Sequence, residues 1–249
     1  MDEKILNKIQ ILFAWSGLLF VIVYGLSWVV LGHNYPPPNP AFTAQELVNN
    51  FYVPFKHRIL LGQSLSTCFG IFYATWSIQL TVQLWAREKD NHLLSLTNLV
   101  GGLLTGWVLI FCPAIWAWCA EFAGTVPAEM TKAAHFIAWY TYDMTYMITT
   151  IQAFAIFAFV LADKHKPAIM PRWAAGLTLF SGLSFLPLTF LPYFKSGIFA
   201  INGYWSYHVA FISYGIFTAV LSYYMVQDLK RIKTSTTPGI GQAISHKQY

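Results

Sequence analysis

Long apolar runs restrict this chain more than any other feature of its sequence. A helix needs about 20 apolar residues to cross the hydrocarbon core of a bilayer, and six stretches of the chain are long enough. Their apolar residues are continuous rather than alternating, which favours transmembrane helices over a β-barrel. Only 10% of the residues are charged, whereas a soluble domain carries roughly 25%. The predicted spans are Ile11–Gly32, Ile59–Trp85, Leu93–Cys119, His135–Ala162, Trp173–Phe194 and Tyr207–Gln227.

We therefore predict an all-α, polytopic membrane bundle of six transmembrane helices over residues 1–232 and a disordered cytoplasmic tail over residues 233–249. Lys and Arg collect in the cytoplasmic loops of membrane proteins. With both termini on one side of the membrane, that side holds eleven of the 15 Lys and Arg residues. Both termini are therefore expected on the cytoplasmic side of a bacterial cytoplasmic (inner) membrane. The net charge of +5 is thus a topology signal and does not indicate a nucleic-acid partner. The expected outer connections are His33–Arg58, Ala120–Ala134 and Lys195–Ser206.

The longest outer connection combines a stiff stretch with a helix signal. Its Tyr35–Pro40 stretch reads Tyr-Pro-Pro-Pro-Asn-Pro, which cannot be helical. Thr43 and Glu46 then have the spacing of a capping box ahead of an apolar run. We predict a short amphipathic helix near residues 44–53 that lies on the outer face and covers the bundle.

One acidic residue, Asp143, lies well inside a predicted span, while the other nine of the ten fall in loops or near span ends. An ionisable group there costs at least ~2.5 kcal/mol, so such residues usually face the bundle interior and serve a function. Prolines in spans three and five indicate kinked helices around an outer cavity. The alternative is a carboxylate held by tyrosine hydroxyls or an arginine, which would only lock helix packing. The residues assigned to the cavity with Asp143 are Trp139, Tyr142, Tyr146, Trp116 and Phe190.

Histidines at the predicted outer ends of four spans suggest a second kind of site. Together with an acid at the end of span three, they could bind a metal ion, or two of them could bind a haem iron. Histidines in this place could equally sense pH. No span shows the His-x-x-x-His or Glu-x-x-His spacing that places two ligands on one helix face, so this site is an alternative. The metal-ligand set would be His57, His135, His208 and Glu121.

Two further patterns concern helix packing. Gly102 and Gly106 form a GxxxG motif in span three, which is typical of a close helix contact. The three cysteines, Cys68, Cys112 and Cys119, lie in apolar stretches without metal-site spacing, so we expect buried thiols rather than disulfides.

Three stretches of the sequence are distinctive as a set: Tyr35–Pro40 with Thr43–Tyr52, Met170–Trp173 and Phe194–Gly203. On these stretches the chain resembles a family of uncharacterised bacterial integral membrane proteins from actinobacteria and proteobacteria that degrade sterols or other hydrophobic compounds. The resemblance covers most of the chain and implies a topology and a metabolic setting, but no activity. In the last stretch, Lys195 and Asn202 supply donors on the outer face, and we assign them to substrate binding.

These patterns favour a binding or transport protein over an enzyme. We expect a hydrophobic or amphipathic small molecule to bind in an outer, aromatic cavity that reaches Asp143. Six spans are few for a transporter that acts as a monomer, so a homo-oligomer or a partner membrane subunit is expected. The first alternative is a redox subunit that holds haem or a metal on the outer histidines. The second alternative is an accessory subunit that packs on a larger membrane enzyme through its GxxxG face.

Overall fold

The computed structural model describes residues 2–89 and 91–236, and this part of the chain consists of helices and loops without a strand. Helix α1 continues as two π-helical segments, Phe20–Tyr24 and Leu26–Leu31. The helices are α1 Glu3–Leu19, α2 Ala44–Leu47, α3 Val53–Phe69, α4 Ile71–Trp85, α5 Leu93–Phe122, α6 Ala128–Met144, α7 Met147–Ala162, α8 Arg172–Ser184 and α9 Ala210–Thr236.

Five helical segments in the described part of the chain are long and apolar enough to cross a membrane. The protein is therefore a multi-pass membrane protein built as a helical bundle, as the composition predicts. The five segments are Lys4–Leu31, Leu93–Phe122, Ala128–Ala162, Arg172–Tyr193 and Tyr204–Arg231.

The predicted span Ile59–Trp85 is not one continuous helix. The helix is interrupted at Gly70, which separates α3 (17 residues) from α4 (15 residues), and both pack along α5. A Cβ atom at Gly70 would lie 2.8 Å from Cγ1 of Ile110 and 3.0 Å from the carbonyl oxygen of Leu109. The missing side chain therefore allows α5 to approach the junction between α3 and α4.

Other helix boundaries also differ from the sequence prediction. The span that carries Asp143 begins at Ala128 rather than His135, and it is interrupted at Thr145, between α6 and α7. Helix α8 ends at Ser184 and gives way to a 3₁₀ helix over Leu186–Tyr193, where two prolines remove backbone donors. Helix α5, by contrast, continues through Pro113 to Phe122.

The segment around α2 packs against one end of the bundle, which we call the α2 end. Its capping box forms as the sequence predicts: the Thr43 backbone N–H donates to Oε2 of Glu46 at 2.7 Å, and the Glu46 N–H donates to Thr43 Oγ1 at 3.2 Å. After the short α2, the chain passes through a π-helical turn directly into α3. The buried side chains of Leu47 and Tyr52 pack on the end of α5 near Cys119.

At the opposite end of the chain, α9 extends to Thr236. Residues 233–236, which the sequence analysis assigns to the tail, are therefore helical in the structure. The remainder of the predicted tail, residues 237–249, lies outside the described residues.

The GxxxG motif of α5 is used inside this chain. A Cβ atom at Gly102 would lie 2.3 Å from Ser77, and one at Gly106 would lie 3.1 Å from the Cβ atom of Ala74, both on α4. A polar network beside this contact joins α4, α5 and α7: Gln152 accepts from Tyr73 at 2.8 Å and donates to Asn98 at 3.2 Å. The motif therefore brings α4 and α5 together inside this chain, so these two glycines are not free for the contact with a larger membrane enzyme that the second alternative places on this face.

Candidate binding site

A cluster of aromatic rings lies around Trp28, on the second π-helical segment of α1. The Trp28 ring stacks on Tyr142 of α6, with centroids 5.2 Å apart and planes inclined by 12°. Short π-helical segments often occur at functional sites because they shift the direction of side chains. We call this group the Trp28 cluster; its members are Trp28, Trp116, Trp139, Tyr142, Tyr207 and Phe211.

The cluster brings together four helical segments that are far apart in the sequence. Trp28 lies 6.1 Å from Trp116 and 5.9 Å from Trp139, centroid to centroid, and Trp116 and Trp139 are 4.9 Å apart. All three indole rings are buried. Tyr207 and Phe211 join from the start of the last span, at 6.1 and 5.6 Å from Trp28.

Asp143 lies at the edge of this cluster and is 2% exposed. Its Oδ1 atom has no hydrogen-bond partner in the described part of the chain. The carboxyl group is close enough to Cys112, Tyr142 and Tyr207 to interact with them electrostatically. A packing lock made of tyrosine hydroxyls or an arginine would pair this oxygen, so the unpaired Oδ1 counts against the purely structural alternative.

The tryptophans of the cluster have unpaired polar atoms as well. The indole N–H groups of Trp28, Trp116 and Trp139 are buried and find no acceptor among the described residues. Leaving such a group unpaired costs about 1–3 kcal/mol. Three donors and one carboxylate oxygen thus lack partners in one region, which suits a site that receives polar atoms from outside the chain.

A small cavity lies beside the interruption between α6 and α7. Its volume is about 40 Å³, and Tyr142, Thr145, Tyr146, Thr149 and Phe211 are among its lining residues. One water needs a cavity of at least roughly 10–15 Å³, so the cavity has room for water. The hydroxyl groups on its wall give such waters partners.

The structure brings four of the predicted binding residues together: Asp143, Trp139, Tyr142 and Trp116. Tyr146 lines the small cavity, and its hydroxyl pairs with Thr189.

The other three predicted binding residues do not join the cluster. Phe190 is 55% exposed on the 3₁₀ segment, because the helix that would turn it inward ends at Ser184. Lys195 donates to the Tyr140 hydroxyl at 3.0 Å, and Asn202 is exposed in the following loop. Phe190 is therefore not part of the cavity wall, whereas Lys195 and Asn202 lie apart from the Trp28 cluster and their assignment to substrate binding stays a prediction.

The structure does not bring together the histidines and the acid of the alternative metal site. Within residues 2–89 and 91–236, no group of three or more His, Cys, Asp or Glu residues is arranged to hold a metal ion. His57 and Glu121 are exposed, whereas His135 is buried and its Nδ1 pairs with the Tyr52 hydroxyl at 2.7 Å. His208 stacks on Tyr204, with ring centroids 5.4 Å apart. The predicted ligand set is therefore wrong as a cluster.

The sequence analysis missed a second buried polar group, at the end of the bundle away from α2. Arg87 at the end of α4 forms ion pairs with Asp163 after α7 (3.1 Å) and with Asp228 on α9 (2.5 Å). Both carboxylates are almost completely buried. Burial raises the pKa of Asp163, but hydrogen bonds from His165 and the charge of Arg87 outweigh burial, so this pKa lies below its usual value. The group joins three helices and has a structural role.

Comparison with protein-family models, with curated proteins and with solved structures finds no match to the chain. The function must therefore be argued from the geometry of the site itself.

Proposed function

We propose that the protein binds or transports a hydrophobic or amphipathic small molecule at the Trp28 cluster, with Asp143 contacting its polar group. The unpaired Oδ1 of Asp143, beside three unpaired indole N–H groups, carries this proposal. Ligand sites combine apolar and aromatic walls with a few polar groups that fix orientation. The cluster has this composition, and its polar groups lack partners within the described chain.

The expected result for Asp143→Leu, which removes the acceptor at similar size, is a loss of bound ligand without a loss of intrinsic stability. Organic extracts of purified wild-type protein should contain a species enriched over the membrane extract, and the variant should retain about tenfold less of it, because a lost hydrogen bond in a buried site costs about 1–3 kcal/mol. Mass spectrometry measures both samples.

The matched control is Glu121→Leu, which makes the same kind of change at an exposed acid outside the cluster and should retain the full amount. With the ligand removed from both samples, the thermal unfolding midpoint of Asp143→Leu should equal or exceed that of the wild type, because the variant removes a buried polar group whose Oδ1 has no partner. Equal ligand in both variants, or no enriched species in the wild type, would contradict the proposal. A large drop in the midpoint would support a purely structural carboxylate.

We also propose that α3 and α4 together form a sixth span and that both termini face the cytoplasm of a bacterial inner membrane. Two observations support this: both helices pack along the membrane-spanning α5, and the positive charge is unequal between the two sides.

Labelling of intact cells with a membrane-impermeant maleimide tests the topology. A cysteine at Asn202 should react from outside, and one at Lys164 should react only after permeabilisation. The unsubstituted chain, with its three native cysteines, provides the background signal. The reverse pattern, or equal labelling of both positions in intact cells, would rule out this orientation.

A further inference from the structure

An apolar groove of about 380 Å³ leads from the side of the bundle to the Trp28 cluster. It runs between α1 with its π-helical segments and α9. Tyr24, Trp28 and Tyr142 line it on one side, and Tyr214 and Gly215 on the other. Ligand sites in proteins have volumes of about 300–1,000 Å³, so the groove is large enough for a small molecule.

The groove faces the lipid because α1 and α9 separate at the π-helical segments that follow α1. Helix α9 packs mainly against the α-helical part of α1, Glu3–Leu19, and the groove begins where the π-helical segments follow. Ile212 and Ile216 of α9 line the groove, are about half exposed, and lie within a membrane-spanning segment. The surroundings of the groove are therefore hydrocarbon rather than water.

Two glycines keep the groove open. A Cβ atom at Gly25 would meet nothing within 4 Å, and one at Gly215 would meet only Val21 Cγ1, at 3.7 Å. Larger side chains at these positions would occupy the space that the groove provides.

Unpaired polar atoms near the groove restrict the ligand's polar group. Trp28 lines the groove, and its buried indole N–H needs an acceptor. Asp143 does not line the groove, but it follows the groove-lining Tyr142 in the sequence and interacts with it electrostatically, and its Oδ1 is an unpaired acceptor. A hydroxyl group accepts from an N–H and donates to a carboxyl oxygen at the same time. An ammonium group has no lone pair for the indole, and a carbonyl oxygen has no proton to donate to Oδ1.

We propose that a bilayer-dissolved molecule with a long apolar body and a terminal hydroxyl group reaches the Trp28 cluster sideways, through the groove between α1 and α9. This inference rests on the proposed function and specifies its ligand class and its route. The apolar body lies between Gly25 and Gly215, and the hydroxyl group lies between Trp28 and Asp143.

Photo-crosslinking in proteoliposomes tests the route. The probe is a long-chain alcohol with a mid-chain diazirine and a terminal alkyne, and mass spectrometry maps the labelled peptides. Wild-type protein should be labelled on residues 20–29 and 211–219. Gly25→Phe should reduce this labelling at least fivefold, because its ring fills the groove. The matched control, Gly176→Phe on α8, also enters open space and should leave the labelling unchanged.

Two further probes identify the occupant. An alkane of the same length without the hydroxyl should label the groove at least fivefold less than the alcohol. Equal labelling by the alkane, or by a diazirine phospholipid, would overturn the proposal in favour of bulk lipid. A disulfide between two copies of the chain that carry Ile212→Cys would overturn it in favour of an oligomer interface.

The same experiment separates the two proposals. If Gly25→Phe leaves labelling intact while Asp143→Leu abolishes it, the sideways route is wrong and the proposed function remains. If Asp143→Leu leaves labelling intact while Gly25→Phe abolishes it, the groove is occupied without the Asp143 acceptor, and both the role of Asp143 and the hydroxyl assignment are wrong.

Discussion

Replacing Arg87 with alanine should lower the free energy of unfolding by about 3–5 kcal/mol, because removing one partner of a buried ion pair leaves the other charge uncompensated. Here two carboxylates, Asp163 and Asp228, would lose their cation together. The neighbouring Gln83 also donates to Asp228, at 3.2 Å, but one neutral donor does not replace a guanidinium group. Urea or thermal unfolding of the detergent-solubilised protein gives the change.

Arg172→Ala is the matched control for Arg87→Ala. This exposed arginine begins α8 and forms no hydrogen bond or ion pair within residues 2–89 and 91–236. Its replacement should change stability by less than about 0.5 kcal/mol. A triple variant, Arg87→Met with Asp163→Asn and Asp228→Asn, should recover most of the loss, because it removes all the charges together. A loss below about 1 kcal/mol for Arg87→Ala would show that the ion pairs contribute little.

Replacing Gly62 with alanine should destabilise the protein by about 2–3 kcal/mol, because the added methyl group has no space. Its Cβ atom would lie 2.2 Å from the backbone nitrogen of Gly32 and 2.5 Å from the carbonyl carbon of Leu31. These are backbone atoms, so no side-chain rotation relieves the clash. Helix α3 must therefore move away from the end of the second π-helical segment, Leu26–Leu31.

The displacement at Gly62 should also reach the Trp28 cluster. Asn34 donates to the backbone oxygen of Trp28 at 3.1 Å, so the chain around Gly32 holds the second π-helical segment in place. We expect Gly62→Ala to reduce the amount of bound ligand along with stability. Gly176→Ala, whose methyl group meets nothing within 4 Å, should be neutral or stabilising by about 0.5–1 kcal/mol. Equal stability of the two variants would mean that α3 and α1 are not tightly packed.

The residues of the candidate site show how far local sequence reasoning extends. The location of Asp143 inside a span predicts its burial, since a carboxylate in hydrocarbon has few other places to go. Trp139 and Tyr142 follow from it, because they are close on the same helix. Phe190 depended on α8 continuing as a regular helix, and the 3₁₀ segment after Ser184 turned it elsewhere.

Trp28 shows what the sequence analysis could not find. Nothing in the spacing of the first span distinguishes this tryptophan from an ordinary apolar residue. Its central place in the cluster depends on π-helical backbone in α1 and on the approach of α5, α6 and the start of the last span. The ion pairs of Arg87 were missed for the same reason, since Arg87 and Asp163 follow two helices and Asp228 lies on a third, and only the packing brings them together.

The sequence by itself determined the helical, multi-pass architecture, because a chain in hydrocarbon must satisfy its backbone hydrogen bonds locally, and run length and charge report this directly. It also determined that Asp143 would be buried. Only the tertiary structure decided where helices are interrupted, which rings surround Asp143 and whether its oxygen has a partner. These features depend on contacts between residues far apart in the chain, such as the approach of α5 at Gly70, and no local pattern encodes them.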